Sequence, residues 1–192
     1  AQSARPTSTD SLAMNANLAH LLERALAAPQ RPLWRHWVDD RWVDVTPPEV
    51  AARAAQWQAA FRREGYRAGD RIALAVRNGI QWIAIDQAAL GMGLVVVPLY
   101  VDDNPDNVAW CAAHAEARLL VVDGSRMADA IRKLEGTYAL PPIVVLRADP
   151  GEAGTTVERF LPEADRAFEV REVAPGALAT ICFTSGTSGR PK

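Results

Sequence analysis

Arg71-Ile72-Ala73-Leu74-Ala75-Val76-Arg77-Asn78-Gly79-Ile80-Gln81-Trp82-Ile83-Ala84-Ile85-Asp86-Gln87-Ala88-Ala89-Leu90-Gly91-Met92-Gly93-Leu94-Val95-Val96-Val97 changes its hydrophobic period twice. Arg71 to Val76 is a compact apolar run of strand type. From Gly79 to Gly91, Trp82, Ile83, Asp86 and Leu90 recur at helical spacing, and Leu94 to Val97 is again an apolar run, of the kind buried on both faces. Two parallel strands need a crossover of a dozen or so residues, most often a helix, so this stretch is a βαβ unit. The alternation continues downstream. Asn104-Pro105 starts a helix over Pro105 to Ala115, followed by a strand Leu119 to Val122, a helix Ser125 to Leu134 and a strand Ile143 to Leu146. Gly151 to Thr156 reads as a surface loop, Val157 to Leu161 as a helical turn, and Leu178 to Phe183 as a last strand of the buried type. The expected fold class is α/β, a mainly parallel sheet with helices on both faces.

Upstream of this unit the signals are local. Asn15 or Asn17 caps a short helix to about Ala27, with Leu18, Leu21, Leu22 and Leu26 on one face, and Pro29 and Pro32 end it. Leu33 to Val38 and Arg41 to Val45 flank Asp39-Asp40 as a β-hairpin. Thr46-Pro47-Pro48-Glu49 is a capping box with proline at the first helical position. Its helix turns Val50, Ala54, Trp57 and Phe61 inward and stops near Gly65. Residues 1–14 are expected to be a disordered lead, and 15–192 one domain portion, with no repeat, charge block or linker dividing it.

The chain has 192 residues, 49% hydrophobic and 23% charged, the composition of a globular protein long enough to bury a core without disulfides or a structural metal. A net charge of −2 supplies no global basic field for nucleic acid. Cys111 and Cys182 each sit in an apolar segment and read as buried free thiols. His20, His36 and His114 show no metal-ligand spacing, so no metal site is expected. Asp102, Asp103 and Asp106 are explained by the helix start at Asn104-Pro105, Trp34, Trp37 and Trp42 by core or hairpin packing, and Asp70 and Arg71 by a structural turn. The apolar run Gln87 to Val101 falls short of a membrane span and contains Gly91, Gly93 and Pro98, and Ala1 to Asp10 lacks the apolar core of a secretory signal.

The segment that carries chemistry is Thr184-Ser185-Gly186-Thr187-Ser188-Gly189-Arg190-Pro191-Lys192, four hydroxyls, two glycines and two cations with no acid. Glycines let the backbone approach an anion, hydroxyls donate without adding charge, and lysine supplies a compact cation. Phosphate is the expected ligand, with a flexible Ser/Gly linker as the alternative. It is not a Walker A loop: Pro191 stands where the second glycine belongs, and no Ser or Thr follows Lys192.

With Phe183 in front, this segment closely resembles the phosphate-binding signature of the adenylate-forming enzymes, the superfamily of acyl-CoA synthetases, nonribosomal peptide adenylation domains and beetle luciferases. Ser188 replaces the usual second threonine and keeps the hydroxyl. Gly65 to Ala75 and Ala89 to Tyr100 are similar to two further family segments, so that the resemblance runs from about Asn17 to Lys192. Val96 to Tyr100, Asp103 to Val108 and Arg118 to Val122 are most similar to long-chain fatty acyl-CoA synthetases.

The resemblance implies a two-step ligase reaction. A carboxylic acid, a fatty acid on this reading, attacks the α-phosphorus of ATP to give an acyl-adenylate and pyrophosphate; coenzyme A then displaces AMP. Thr184, Ser185, Gly186, Thr187, Ser188, Gly189 and Lys192 would hold the phosphates that leave, with Mg²⁺ as cofactor. Family members are several hundred residues longer, so the chain is expected to be an N-terminal fragment, inactive alone, with weak phosphate affinity, an unordered Lys192 and no catalytic residue of its own. The ATP and coenzyme A so implied point to the cytoplasm, with peripheral membrane association left open. Two other readings stand beside this one: a non-catalytic binding or oligomerisation module, and an adenylating enzyme that passes its acyl group to a carrier protein.

Overall fold

The computed structural model describes residues 18–32, 34–174, 176–184 and 191–192. The expected lead and the caps Asn15 and Asn17 lie outside these residues, as do Leu33 and the loop residues Ser185 to Arg190. Helix α1 spans His20–Leu26, strands β1 and β2 Trp34–Val38 and Arg41–Val45, and helix α2 Pro47–Arg63. Then follow β3 (Arg71–Ala75), α3 (Ile80–Gly91), β4 (Val95–Pro98), α4 (Pro105–His114), β5 (Leu119–Gly124), α5 (Ser125–Arg132), β6 (Ile143–Arg147), β7 (Thr155–Thr156) and α6 (Val157–Phe160).

The five strands from β3 onward form one sheet in the order β4-β3-β5-β6-β7, every pair parallel. The two-residue alternation of a strand then sorts the core into two layers. Ile72, Leu74, Val96, Leu119, Val121 and Val144 face one side, where Trp57, Phe61 and Ile85 of α2 and α3 cover them. Ala73, Ala75, Val97, Leu120, Val122 and Val145 face the other, against Val108, Ala109 and Ala112 of α4 and Ala128 and Ile131 of α5. Helices therefore lie on both faces, as the apolar runs require.

Local chemistry sets the element ends. Glu49 accepts from both the amide and the hydroxyl of Thr46 at 2.7 Å, completing the capping box. At its far end α2 closes on Gly65, φ 72°, with Tyr66 donating to the Phe61 carbonyl and Gly65 to that of Arg62. Asp39 and Asp40 both take positive φ, 47° and 57°, the turn whose twist matches a two-residue hairpin. Asn104 caps α4 by accepting from the Asp106 amide, Asp103 accepts from Asn104 and Asn107, and Asp102 pairs with Arg77 at 3.0 Å. Asp70 accepts from the Arg67 amide and pairs with Arg118, while Arg71 donates to the Ala115 carbonyl. Asp103 and Asn104 thus serve the helix start as expected, Asp102 instead turns to Arg77, and the Asp70-Arg71 turn is tied by hydrogen bonds and an ion pair as expected.

Four expectations are corrected. Helix α1 starts at His20, and only Leu22 is buried; Leu18 and Leu21 stay 51% and 53% exposed, because a two-turn helix lying against α2 and α3 offers its neighbours too narrow a stripe to cover four leucines. Its start is satisfied from another element, the buried Gln87 of α3 accepting from the Leu22 amide. Within the expected loop at 151–156, Thr155 and Thr156 form β7, paired to Val144 and Val145. Trp37 and Trp42, by contrast, pack edge-on across the hairpin at 5.3 Å as expected, on its solvent face at 57% and 62% exposure. The last run is no buried strand. It joins β4 by the single bridge Val96 to Thr180, with Leu178, Thr180, Cys182 and Thr184 exposed and Ala179, Ile181 and Phe183 half-buried. Cys182 is thus an exposed thiol, whereas Cys111 is buried, its thiol pushed up to about 11 by burial and by Asp103.

Burial also pushes the Asp86 carboxyl above its usual range, opposed only by a hydrogen bond from the Gln87 amide. A raised folded-state pKa means that the fold prefers the protonated acid. This contribution to stability is fully present below the ordinary aspartate pKa and is lost as pH rises through the folded value. Asp86→Asn should therefore raise the urea midpoint at pH 7, and the gain over the parent should vanish on titration to about pH 3, below the ordinary aspartate pKa. An equal gain at both pH values would refute the assignment.

Candidate phosphate-binding site

The candidate loop leaves the sheet at a defined place. Val96 donates to the Ala179 carbonyl and Ile181 to the Val96 carbonyl, both at 3.0 Å, and the Thr180 hydroxyl donates to Val96 at 2.9 Å. Because this bridge is parallel, the chain runs with β4 and emerges beyond the carboxyl end of the sheet. Phe183 is the last anchor before the loop. Its ring meets Trp110 edge-on at 5.9 Å and His114 at 6.2 Å, and these two are stacked at 4.5 Å on α4. The aromatic in front of the loop is thereby seated on a helix that the sheet already holds.

Thr184 and Lys192 then exchange both backbone bonds, Thr184 donating to the Lys192 carbonyl at 2.7 Å and Lys192 to the Thr184 carbonyl at 2.9 Å. The two ends of the loop are drawn together, and the backbone of Lys192 is held, contrary to the expectation that it would be unordered. Of the expected site residues, Thr184 and Lys192 are brought side by side; Ser185, Gly186, Thr187, Ser188 and Gly189 lie outside the described residues. A segment rich in amides and hydroxyls whose two ends are held together, with a lysine at one of them, has the chemistry to receive a polyanion.

The same edge of the sheet holds a feature that no local motif announced. In the order β4-β3-β5-β6-β7 the connections from β3 run both ways, so a crevice opens between the carboxyl ends of β3 and β5, where ligands of open parallel sheets bind. A cavity of about 550 Å³ is found there, bordered by Arg77, Asp102, Asp103, Asp123 and Arg126. Arg77 bonds Asp102 and approaches Asp123 at 3.4 Å, and Asp123 also pairs with Arg147, which ties the segments after β3 and β4 to the ends of β5 and β6. Arg126 is exposed and carries no ion pair among the described residues. The loop exit lies about 12 Å from this crevice, at ~4.8 Å per strand. Among the described residues no group of three His, Cys, Asp or Glu stands close enough to hold a metal ion. No described helix is long and apolar enough to cross a membrane.

A three-layer parallel α/β sheet with the chain leading from its carboxyl edge into a hydroxyl- and glycine-rich sequence is the setting of a candidate phosphate site. Residues 23–192 match the AMP-binding enzyme family, and the chain belongs to that family. It is 29% identical over 182 residues to a long-chain-fatty-acid–CoA ligase of Mycobacterium tuberculosis, covering 91% of this chain and 30% of that protein. It is 30% identical over 150 residues to a 3-hydroxybenzoate–CoA/4-hydroxybenzoate–CoA ligase of Thauera aromatica, covering 77% and 28%. Among solved structures, a Brucella canis acyl-CoA synthetase superimposes with a TM-score of 0.78 at 18% identity, over 93% of this chain and 33% of that one. A long-chain-fatty-acid CoA ligase of Rhodopseudomonas palustris gives 0.74 at 22% identity, over 93% and 44%. The chain thus spans about 30% of the length of the curated relatives it matches.

Proposed function

We propose that this chain is the N-terminal portion, residues 15–192, of an ATP-dependent, AMP-forming acid–thiol ligase, and that it builds the pyrophosphate side of the active site. The observation that carries the reading is the Thr184–Lys192 backbone pair, which closes the signature loop at the carboxyl edge of the sheet. In the first step a carboxylate oxygen bonds the α-phosphorus of ATP and the bond to the β-phosphate bridging oxygen breaks, releasing pyrophosphate. In the second, the thiol sulfur of coenzyme A bonds the acyl carbon, its proton is lost, and AMP leaves with the electron pair of the broken acyl–oxygen bond.

This chain's part is the first step. Thr184, Ser185, Gly186, Thr187, Ser188, Gly189 and Lys192 receive the β- and γ-phosphates, and their prearranged donors favour the charge that grows on the leaving group. The reaction class uses Mg²⁺, and among the described residues no group of three His, Cys, Asp or Glu stands close enough to hold it. The acid is read as a fatty acid, supported by the relative that covers the larger share of this chain. Coenzyme A as acceptor rests on the same relatives, and the two substrates set the reaction in the cytoplasm.

Composition offers a direct assay. Only two lysines occur in the chain, Lys133 and Lys192. In the complete protein, Mg-ATP or pyrophosphate should slow amine acylation of Lys192 several-fold and leave Lys133 unchanged, while a panel of fatty acids elicits acid-dependent pyrophosphate release. Equal labelling of Lys192 with and without nucleotide, together with no acid-dependent release, would sink the proposal in favour of a non-catalytic module.

A further inference from the structure

The loop's entry segment has little sheet to hold it. After α6, beside the β7 edge, residues 161–174 recross the face covered by α2 and α3, and residues 176–180 come up beside β4, where one bridge receives them. What holds this strap is on α2 and at the end of α3.

Gln58 is fully buried on α2 in an otherwise apolar surrounding. Its side-chain amide donates to the Glu169 carbonyl at 2.8 Å and its side-chain oxygen accepts from the Glu169 amide at 3.1 Å, so one side chain satisfies both backbone groups of a single strap residue, as a neighbouring strand would. A weaker bond at 3.4 Å ties the same amide to the Ala88 carbonyl of α3. Two residues on, Arg171 donates to the Gly91 carbonyl at 2.8 Å. Gly91 and Gly93 leave the room: an added Cβ would stand 2.7 Å from the Glu169 carbonyl oxygen at Gly91 and 2.8 Å from Val173 at Gly93. Arg62 adds ion pairs to Asp165 and Glu169, on half-exposed or exposed carboxylates where such pairs contribute little. Burying an uncharged amide costs free energy unless every polar atom is bonded, and here the bonds go to the strap backbone.

We infer that Gln58 is a positioning residue for the phosphate-binding loop, acting through Glu169 and the strap to set where Thr180 meets β4 and where Phe183 and Thr184 emerge. This role rests on the function proposed above; the clamp itself does not. Gln58→Leu keeps the volume and withdraws both strap bonds. Val50→Ala, at a fully buried apolar site on the same helix whose side chain can make no hydrogen bond to the strap, serves as the control for general loss of stability.

In the complete protein, Gln58→Leu should speed amide exchange over residues 165–184 about tenfold, the factor carried by roughly one lost buried hydrogen bond, and leave β3 and β5 unchanged. KM for ATP should rise by a similar factor with KM for the acid unmoved, and Val50→Ala should do neither. Should Gln58→Leu not fold, Gln58→Asn shortens the reach by one methylene and should give the same pattern. Unchanged exchange in the strap, or equal loosening in Val50→Ala, would overturn the clamp. A loosened strap with an unchanged KM for ATP would overturn the positioning role. Failure of the function proposal reads out separately, as absence of nucleotide protection at Lys192 in the parent.

Discussion

Trp57→Ala should cost the fold about 3–5 kcal/mol, the range for removing a large buried aromatic. Trp57 is wholly inaccessible on α2, and its indole lies 5.8 Å from Phe61 and 5.6 Å from Phe160, both at tilted angles. It joins α2 to the short α6 at the far edge of the sheet, a helix too short to hold its place without that contact. Against a total stability of roughly 5–15 kcal/mol, the alanine variant would sit near the unfolding threshold. Trp57→Phe should cost far less. The indole N–H is buried with no partner among the described residues, so the smaller ring loses volume while relieving an unpaired donor. Urea unfolding of the three proteins at equal m-values measures the order; a phenylalanine variant as unstable as alanine would mean that the N–H is satisfied after all.

Gly91→Val should have the next largest effect, because the obstruction is backbone. A Cβ at this position stands 2.7 Å from both the Glu169 carbonyl oxygen and the Gln58 side-chain amide, and 3.3 Å from the Phe168 ring. The carbonyl cannot swing aside as a side chain would, and the amide is bonded to it, so either the strap lifts or α2 and α3 part. Overpacking of this kind costs about 1–3 kcal/mol, more than the smaller than 1 kcal/mol gain in helix propensity over glycine returns. Gly176→Ala, with nothing within 4 Å of its Cβ, should be nearly silent. The Gly91→Val and Gln58→Leu losses should also be markedly less than additive, since both are spent on the same contact with Glu169; additivity in a double-mutant cycle would show that they act on separate contacts.

How far the fold was legible depended on where each element's partners lay. The capping box at Thr46, the stop at Gly65, the Asp39-Asp40 turn and the Asn104 cap involve residues within a few positions of one another, and all stand as expected. The apolar runs at Ile72, Val96, Leu120 and Val145 identified strands buried on both faces because only a covered parallel sheet can bury such runs. Misreadings fell where a distant neighbour decides. Leu18 and Leu21 carry a helical stripe that no second surface meets. Thr155 and Thr156 have no apolar signal and become a strand only through the free edge of β6. Cys182 belongs to an apolar run whose outer side is open in this chain.

The site divides in the same way. The phosphate-binding reading came from consecutive residues, because a loop that wraps an anion with its own amides and hydroxyls writes its chemistry in order along the chain. Arg77, Asp123 and Arg126 are scattered over that chain and meet only because β5 returns beside β3 rather than beside β4. Gln58 is likewise one amide among many helical polar residues until the strap, 111 positions later, lies against it. By itself, then, the sequence determined the class of fold and the ends of its main helices and singled out the candidate loop, since each follows from periodicity or from groups that are near in sequence. Strand order, the crevice at the carboxyl edge and the clamp that sets the loop's exit were decided only by the tertiary structure, because the contacts that create them join residues that no local spacing relates.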